Sequence, residues 1–337
     1  MEQKVLRVST VVLIGSLLLR LMSTGVVGDL LKITLSPETA AWMIFLQTGR
    51  LVRPGNIAFS PGPTEPEQTV PMTEPTVAPT QPPEQTVPVF SAGDADAIAI
   101  TCSFSYSADL PGLLTKPLDW DLTAKEPTVL IVHSHGSESF APTGEYQEIS
   151  PYHTLDTAHN MVSVGAYVAQ LLEAGGVKVL HDTTLHDNPS YNASYSNSRA
   201  SVQKYLQENP SIRLVLDLHR DSFEDEEGNQ IVQTVFSEGN KLAPLMLVVG
   251  TDYGGLTHPA WQENLALALK LQTQMESICP GICRNINLRS QRFNQDLSAG
   301  ALLVEIGASG NSYQEALRAA EVLAKGILSL VHGSDAA

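Results

Sequence analysis

Residues 128–132 read Thr-Val-Leu-Ile-Val, an unbroken apolar run of strand length, and predict a buried strand. Ile212–Leu218, Leu245–Val249 and Ala301–Gly307 have the same character. Ile98–Ser103, Val177–Leu180, Ile231–Phe236 and Ile282–Leu288 predict further strands. Between them the apolar period lengthens to that of a helix. Asn160–Ala174 presents Met161, Val164, Val168, Leu171 and Leu172 on one face and closes at Gly175-Gly176. Ser198–Asn209 turns Val202, Tyr205 and Leu206 inward and stops at Pro210. Trp261–Met275 has Trp261, Leu265, Ala268 and Leu269 on one face. Ser312 and Glu315 form a capping box that opens a last helix through Leu330. Glu224–Asn229 reads as a solvated hairpin tip. Strands alternating with helices across short joins predict an α/β sheet covered on both faces.

The first ninety residues follow another pattern. Lys4 and Arg7 precede a mostly apolar stretch, Val8–Val27, close to the ~20 residues of a membrane span. The leading positive charge predicts a cytoplasmic N-terminus, and Arg20 is placed to snorkel. A cleaved signal peptide is the rival reading, but no clean A-x-A site follows. The expected organisation is a membrane anchor over 1–29, a membrane-proximal segment over 30–52, a Pro/Thr-rich linker over 53–88 and a catalytic domain over 89–337. The linker composition cannot bury a core and predicts an extended, disordered spacer. Such a chain is expected to be a single-pass membrane protein with its folded domain outside the cytoplasm.

A formal net charge of −16 over 337 residues argues against a nucleic-acid surface. Three cysteines, Cys102, Cys279 and Cys283, form no C-x-x-C pair or thiol zinc framework. Cys279 and Cys283 can either pair outside the cell or stay free.

The candidate chemistry lies at strand ends. The strand ending at Val132 delivers His133-Ser134-His135-Gly136-Ser137-Glu138, with an H-x-x-E spacing that brings an imidazole and a carboxylate to one short turn. The Ile212 strand also ends in a histidine, His219, which completes a candidate His/Glu/His zinc site. Strand alternation puts His133 and His135 on one face, so either can approach the metal. Glu305 stands alone in an apolar strand, where a carboxylate is costly unless paired or used. Its functional reading is a general base beside zinc-activated water; the alternative is an ion pair with Arg289 or Arg292. Arg220 and Asp221 beside His219 can orient an imidazole or hold a substrate carboxylate. His181, Asp182, His186 and Asp187 form a second polar cluster that either supports the site or touches substrate.

Several longer runs carry a resemblance. Val179-Leu180-His181-Asp182, His186–Tyr195, Asp217-Leu218-His219-Arg220-Asp221, Met246–Asp252 and Asn294–Gly307 together resemble the stage II sporulation protein P family of endospore-forming bacteria. The resemblance covers about 120–331, and the anchor and linker agree with it. It implies an N-acetylmuramoyl-L-alanine amidase-like fold, a twisted mixed sheet with helices on both faces. It also implies zinc-dependent cleavage of the amide between N-acetylmuramic acid and L-alanine in peptidoglycan, with room for endopeptidase activity. The implied setting is septal wall remodelling during engulfment, beside a lytic transglycosylase and a membrane protein of the engulfment machinery. Carried onto this chain, the zinc ligands are His135, Glu138 and His219, and the catalytic residue is Glu305. In the broader amidase family the carboxylate ligand lies on the following helix. Here that helix offers no glutamate until Glu173, so Glu138 is assigned, with Glu145 and Glu148 in reserve. Where a His-Thr-His-Thr type of run is expected, this chain has His133-Ser134-His135-Gly136, a change placed outside the ligands.

Two other functions fit the same residues. A carboxypeptidase- or endopeptidase-type zinc metallopeptidase uses a similar donor set. A non-catalytic wall-binding protein would keep the fold without needing all four chemical residues.

Overall fold

The apolar runs pair side by side into one sheet. In a computed structural model the described residues are 88–118 and 120–332. The predicted anchor, membrane-proximal segment and nearly all of the linker lie outside them, as does the proposed Val8–Val27 span. Among the described residues no helix is long and apolar enough to cross a membrane.

The strands are β1 (Ile100–Cys102), β2 (Val129–Val132), β3 (Val179–His181), β4 (Leu214–Asp221), β5 (Val235–Ser237), β6 (Asn240–Leu242), β7 (Leu245–Gly250), β8 (Ile286–Arg289) and β9 (Ala301–Ala308). Seven form a sheet in the order β1-β8-β7-β9-β4-β2-β3, and β5 and β6 make a separate hairpin. Every neighbouring pair in the large sheet is parallel except β7 with β9. The helices are α1 (Leu110–Thr115), α2 (Met161–Ala174), α3 (Ser194–Glu208), α4 (Trp261–Ile278) and α5 (Tyr313–His332). The architecture is thus a mixed α/β fold around a mostly parallel sheet.

Alternation divides the strands between two faces. Leu214, Leu216 and Leu218 of β4, Leu245, Leu247 and Val249 of β7, and Leu302, Val304 and Ile306 of β9 enter one large core with α2, α4 and α5. The opposite parity meets α3 near β2, where Leu130, Val132 and Val215 pack on Val202. Further along that face Met246, Val248 and Leu303 form only a small cluster with Phe293. One face is therefore packed by three helices, while the other is covered by α3 at one side and left open over β7 and β9.

Several caps follow the sequence closely. The Asn160 side chain accepts from Val162 N at 3.0 Å and starts α2. Ser312 N donates to Glu315 Oε2 at 3.0 Å, and Glu315 N donates to Ser312 Oγ at 3.3 Å, closing the predicted box.

Other boundaries shift. Helix α3 begins four residues before the predicted Ser198, because tertiary partners hold its polar first turn; Asn197 Nδ2 donates to His186 O at 2.8 Å. The predicted Ile231–Phe236 strand shortens to β5. Its first residues are held instead by Ile231 N to Phe223 O at 2.8 Å and Asn311 Nδ2 to Gln233 O at 2.9 Å. Cys102, Cys279 and Cys283 are all free thiols, so the Cys279–Cys283 pair is not formed.

Candidate functional site

The open face carries the polar residues of the buried strands. In β4 the alternation that sends Leu216 and Leu218 into the core sends Asp217 and His219 to the other side. In β9 it does the same for Glu305, which lies directly beside His219 in the β4–β9 register.

Strand β2 ends at Val132, so alternation no longer relates His133 to His135. The two part company there. His133 is buried, with Nδ1 3.0 Å from Leu218 O and Nε2 2.9 Å from His181 Nε2. Burial first, then the neighbouring His181, pushes the His133 imidazole down to about 3, and burial brings His181 down to about 4. The sequence expectation that both histidines can approach one metal is therefore corrected: this neutral pair sits beneath α2, and only His135 reaches the cleft. Glycine is required above it, since a Cβ on Gly165 would stand 2.4 Å from His133 Nε2.

His135, Glu138 and His219 converge, with one donor atom from each lying within 4.8 Å of the others. Glu138 Oε1 is 3.5 Å from His135 Nδ1, and Oε2 is 3.5 Å from His219 Nδ1. Two ligands of one tetrahedral zinc, each about 2.0–2.1 Å from it, stand about 3.4 Å apart. The donor types fit the ion, and each carboxylate–imidazole distance matches that spacing. Burial opposes ionisation of Glu138, yet Arg220, His135 and His219 together hold its carboxyl well below the usual range. Burial likewise opposes protonation of His219, but Asp217 and Glu138 raise its imidazole well above the ordinary value. The cluster thus draws positive charge, and divalent metal binding displaces such protons.

Asp217 is a residue of the site that the sequence pattern does not single out. Its Oδ1 lies 2.9 Å from His219 Nε2, although that nitrogen has no well-aligned hydrogen bond. It accepts from Ser134 N at 2.7 Å and from Ser134 Oγ at 2.6 Å. A carboxylate behind the far nitrogen of a ligating imidazole fixes its tautomer and orientation. The signal lies in the parity that Asp217 shares with His219, ahead of Arg220 and Asp221 at the end of β4.

Arg220 and Asp221 have separate tasks. Arg220 N donates to Glu138 Oε2 at 3.2 Å, while its guanidinium donates to Ser139 O at 2.9 Å and Tyr152 O at 2.7 Å. It thereby fixes the loop that carries Glu138. Asp221 accepts from Arg284 at 2.7 Å. Asp187 Oδ2 accepts from Ser137 N at 3.1 Å and Ser137 Oγ at 2.6 Å, clamping the same loop from the opposite side. Asp182 accepts from His186 at 3.0 Å and from Ser201 Oγ. The four-residue cluster thus makes supporting contacts. The reserve carboxylates lie elsewhere, Glu148 accepting from Tyr152 N at 2.7 Å and Glu145 lying 3.9 Å from His159.

Tyr191 and Tyr195 were not foreseen either. The Tyr191 ring stacks on His135 at 4.2 Å, and Tyr195 meets the same imidazole edge-on at 5.3 Å. Both line a cleft of about 440 Å³ with His135, Glu138, His219 and Glu305. Burial is the main influence on Glu305 and raises its carboxyl to about 8; Glu138 and Asp221 add repulsion, against attraction from His219 and Arg220. Its Oε2 is buried without a hydrogen-bond partner. Among the described residues no arginine pairs with it, so an ion pair with Arg289 or Arg292 does not account for a carboxylate in this strand; Arg292 pairs instead with Asp296 at 3.2 Å.

The model of the family described as stage II sporulation protein P matches residues 65–328. The stage II sporulation protein P of Bacillus subtilis (strain 168) is 28% identical over 213 residues, which make up 60% of this chain and 50% of that protein. The chain therefore spans about half the length of this curated relative. Among solved structures, an N-acetylmuramoyl-L-alanine amidase from Clostridium difficile 630 aligns with a TM-score of 0.37 at 16% identity, covering 62% of this chain and 96% of that one. The apo form of the N-acetylmuramyl-L-alanine amidase Ami1 from Mycobacterium abscessus aligns with a TM-score of 0.35 at 12% identity, covering 62% and 99%.

Proposed function

The chain belongs to the stage II sporulation protein P family, and from that premise we propose that it is a zinc-dependent N-acetylmuramoyl-L-alanine amidase acting on peptidoglycan in sporulation. One observation carries the reading: a His/Glu/His donor set opens onto the same cleft as a half-buried carboxylate one strand away, whose Oε2 has no hydrogen-bond partner. His135, Glu138 and His219 would hold the ion. A zinc ion held there would supply Lewis acidity to an amide carbonyl and a positive charge that favours the ionised form of Glu305. Glu305 takes the proton of the attacking water and returns it to the leaving amine. Asp217 keeps the His219 ring in place, and the loop held by Arg220 and Asp187 keeps Glu138 turned toward both imidazoles. Tyr191 and Tyr195 hold the His135 ring between them, one stacked and one edge-on.

The rest of the setting is proposed on the family resemblance: septal wall as the site of action, a lytic transglycosylase and a membrane protein as partners, and an N-terminal anchor that keeps the domain outside the cytoplasm.

The test pairs Glu305→Gln with His219→Ala in the full chain. Glutamine keeps the shape of Glu305, so the first variant retains zinc and its melting temperature while turnover falls by ~10²–10⁴. The second loses zinc and activity together. Product analysis on purified muropeptides separates the enzymes: free lactyl ends with released stem peptides mark the amidase, and cuts within peptides mark a peptidase. Near-normal turnover of Glu305→Gln removes Glu305 from the mechanism, and full zinc content in His219→Ala removes His219 from the ligands.

A further inference from the structure

The cleft extends beyond the donor cluster. From Glu305 its floor crosses Met246, which faces Glu305 in register, then Val248 and Asn287, and reaches Arg289 at the end of β8. Two strand spacings of ~4.8 Å and four residues of ~3.3 Å separate the Glu305 and Arg289 backbones, roughly 16 Å along the diagonal. The middle of this path is apolar, made by Met246, Val248 and Leu303.

Arg289 differs from the other arginines of the described chain. Arg199 and Arg292 are bound to Asp296. Arg284 is bound to Asp221 and lies 4.4 Å over the Phe223 ring. Arg213, Arg220 and Arg318 donate to backbone carbonyls. The Arg289 guanidinium has neither an acid nor a carbonyl partner among the described residues, and it is exposed on the cleft wall. A formal net charge of −16 supplies acids in excess, so an arginine left unpaired beside a cleft is a place for an anion from outside.

We propose that Arg289 is a specificity-determining residue that binds a free carboxylate of the substrate peptide, a few residues from the amide held at the donor cluster. The spacing fits an extended peptide: each residue covers ~3.3–3.6 Å, and the arginine side chain shortens the gap, leaving ~2–4 residues. The apolar floor takes the intervening side chains, and the guanidinium receives the carboxylate through paired N–H donors. The inference rests on the hydrolase reading for what lies at the other end of the cleft, but not for the anion site itself.

The experiment uses two synthetic muramyl peptides that differ only in a carboxylate or a carboxamide within three residues of the scissile amide. Binding of each is measured calorimetrically to full-length Glu305→Gln and to the same chain carrying Arg289→Gln. Hydrolysis of each is measured for wild type, Arg289→Gln and Arg289→Lys. The expected result is a preference of about 1.5- to fivefold for the carboxylate, the range of an exposed ion pair, that disappears in Arg289→Gln. It appears in KM rather than kcat, is partly kept in Arg289→Lys, and leaves zinc content unchanged. Equal binding of both peptides by the Arg289-containing chain overturns the proposal, as does an equal loss on both peptides in Arg289→Gln. Carboxylate preference in binding with no hydrolysis by wild type overturns the amidase reading and leaves the anion site standing.

Discussion

At the scale of the residue, the site is built from pairs in which one side chain faces the cleft and another fixes it. His219 has Asp217 behind it, and Asp217 is itself held by two hydrogen bonds from Ser134. Asp217→Asn keeps the shape but can present an amide N–H to the His219 nitrogen, and it removes the charge that favours a correctly oriented ring. Zinc affinity should fall by about 10–100-fold, as is typical when an outer carboxylate is lost. Competition with a chromophoric chelator reads this directly, and unchanged affinity would leave Asp217 with a structural task only. Glu305 is more legible in sequence than Asp217, since it is the one carboxylate of an apolar strand. Glu305 stood alone, whereas Asp217 lay within a polar cluster that hid it. Tyr191 and Tyr195 could not be read at all, because their value comes from a fold that brings residues 135 and 191 together.

At the scale of the element, local pattern decided what tertiary contact did not override. The long apolar runs of β2, β4, β7 and β9 and the capped helices α2 and α5 follow the sequence within a residue or a few. Divergence came where polar contacts set the boundary, as in the first turn of α3, and where too few residues carry a period, as in the six-residue α1. His133 shows the limit of alternation: it applies inside a strand and ends where the strand does. The approach of α2 to the His133–His181 pair yields a prediction at this scale. Gly165→Ala gains up to ~1 kcal/mol of helix propensity. Against that, the new methyl would lie 2.4 Å from His133 Nε2, with His181 Nε2 at 2.8 Å, and buried neighbours cannot yield freely. Overpacking of this kind costs ~1–3 kcal/mol, so the clash wins. A fall of a few degrees in melting temperature is expected, at ~2–4 °C per kcal/mol for a domain of this size. A stabilised Gly165→Ala would show that the helix can withdraw from the pair.

At the scale of the whole molecule, acid stability depends on ties between distant parts of the chain. Asp296, just before β9, accepts from Arg199 of α3 at 2.8 and 2.7 Å and lies 3.2 Å from Arg292. Burial opposes its ionisation, but Arg199 and then Arg292 outweigh this and hold the carboxyl below its ordinary value. A carboxyl with a lowered folded pKa stabilises the protein fully above its unfolded pKa of about 3.9; that contribution is lost as pH falls through the lower folded value. Asp296→Asn should therefore destabilise at pH 6, and its gap to wild type should narrow as pH falls below about 3.9. Melting curves across that range test the sign, and a gap that widens toward low pH would refute it.

The two walls of the cleft differ in kind. Glu305 is on β9, which is hydrogen-bonded to β4 on one side and to β7 on the other, whereas Glu138 is in a loop pinned by side chains. A strand with two partners bends only if its sheet bends, while a pinned loop relaxes when a pin is pulled. The cleft is in effect a vice with one fixed jaw and one adjustable jaw. Wear falls on the adjustable one: on the proposed function, changes at Asp187 or Arg220 would shift Glu138, while Glu305 would stay in place.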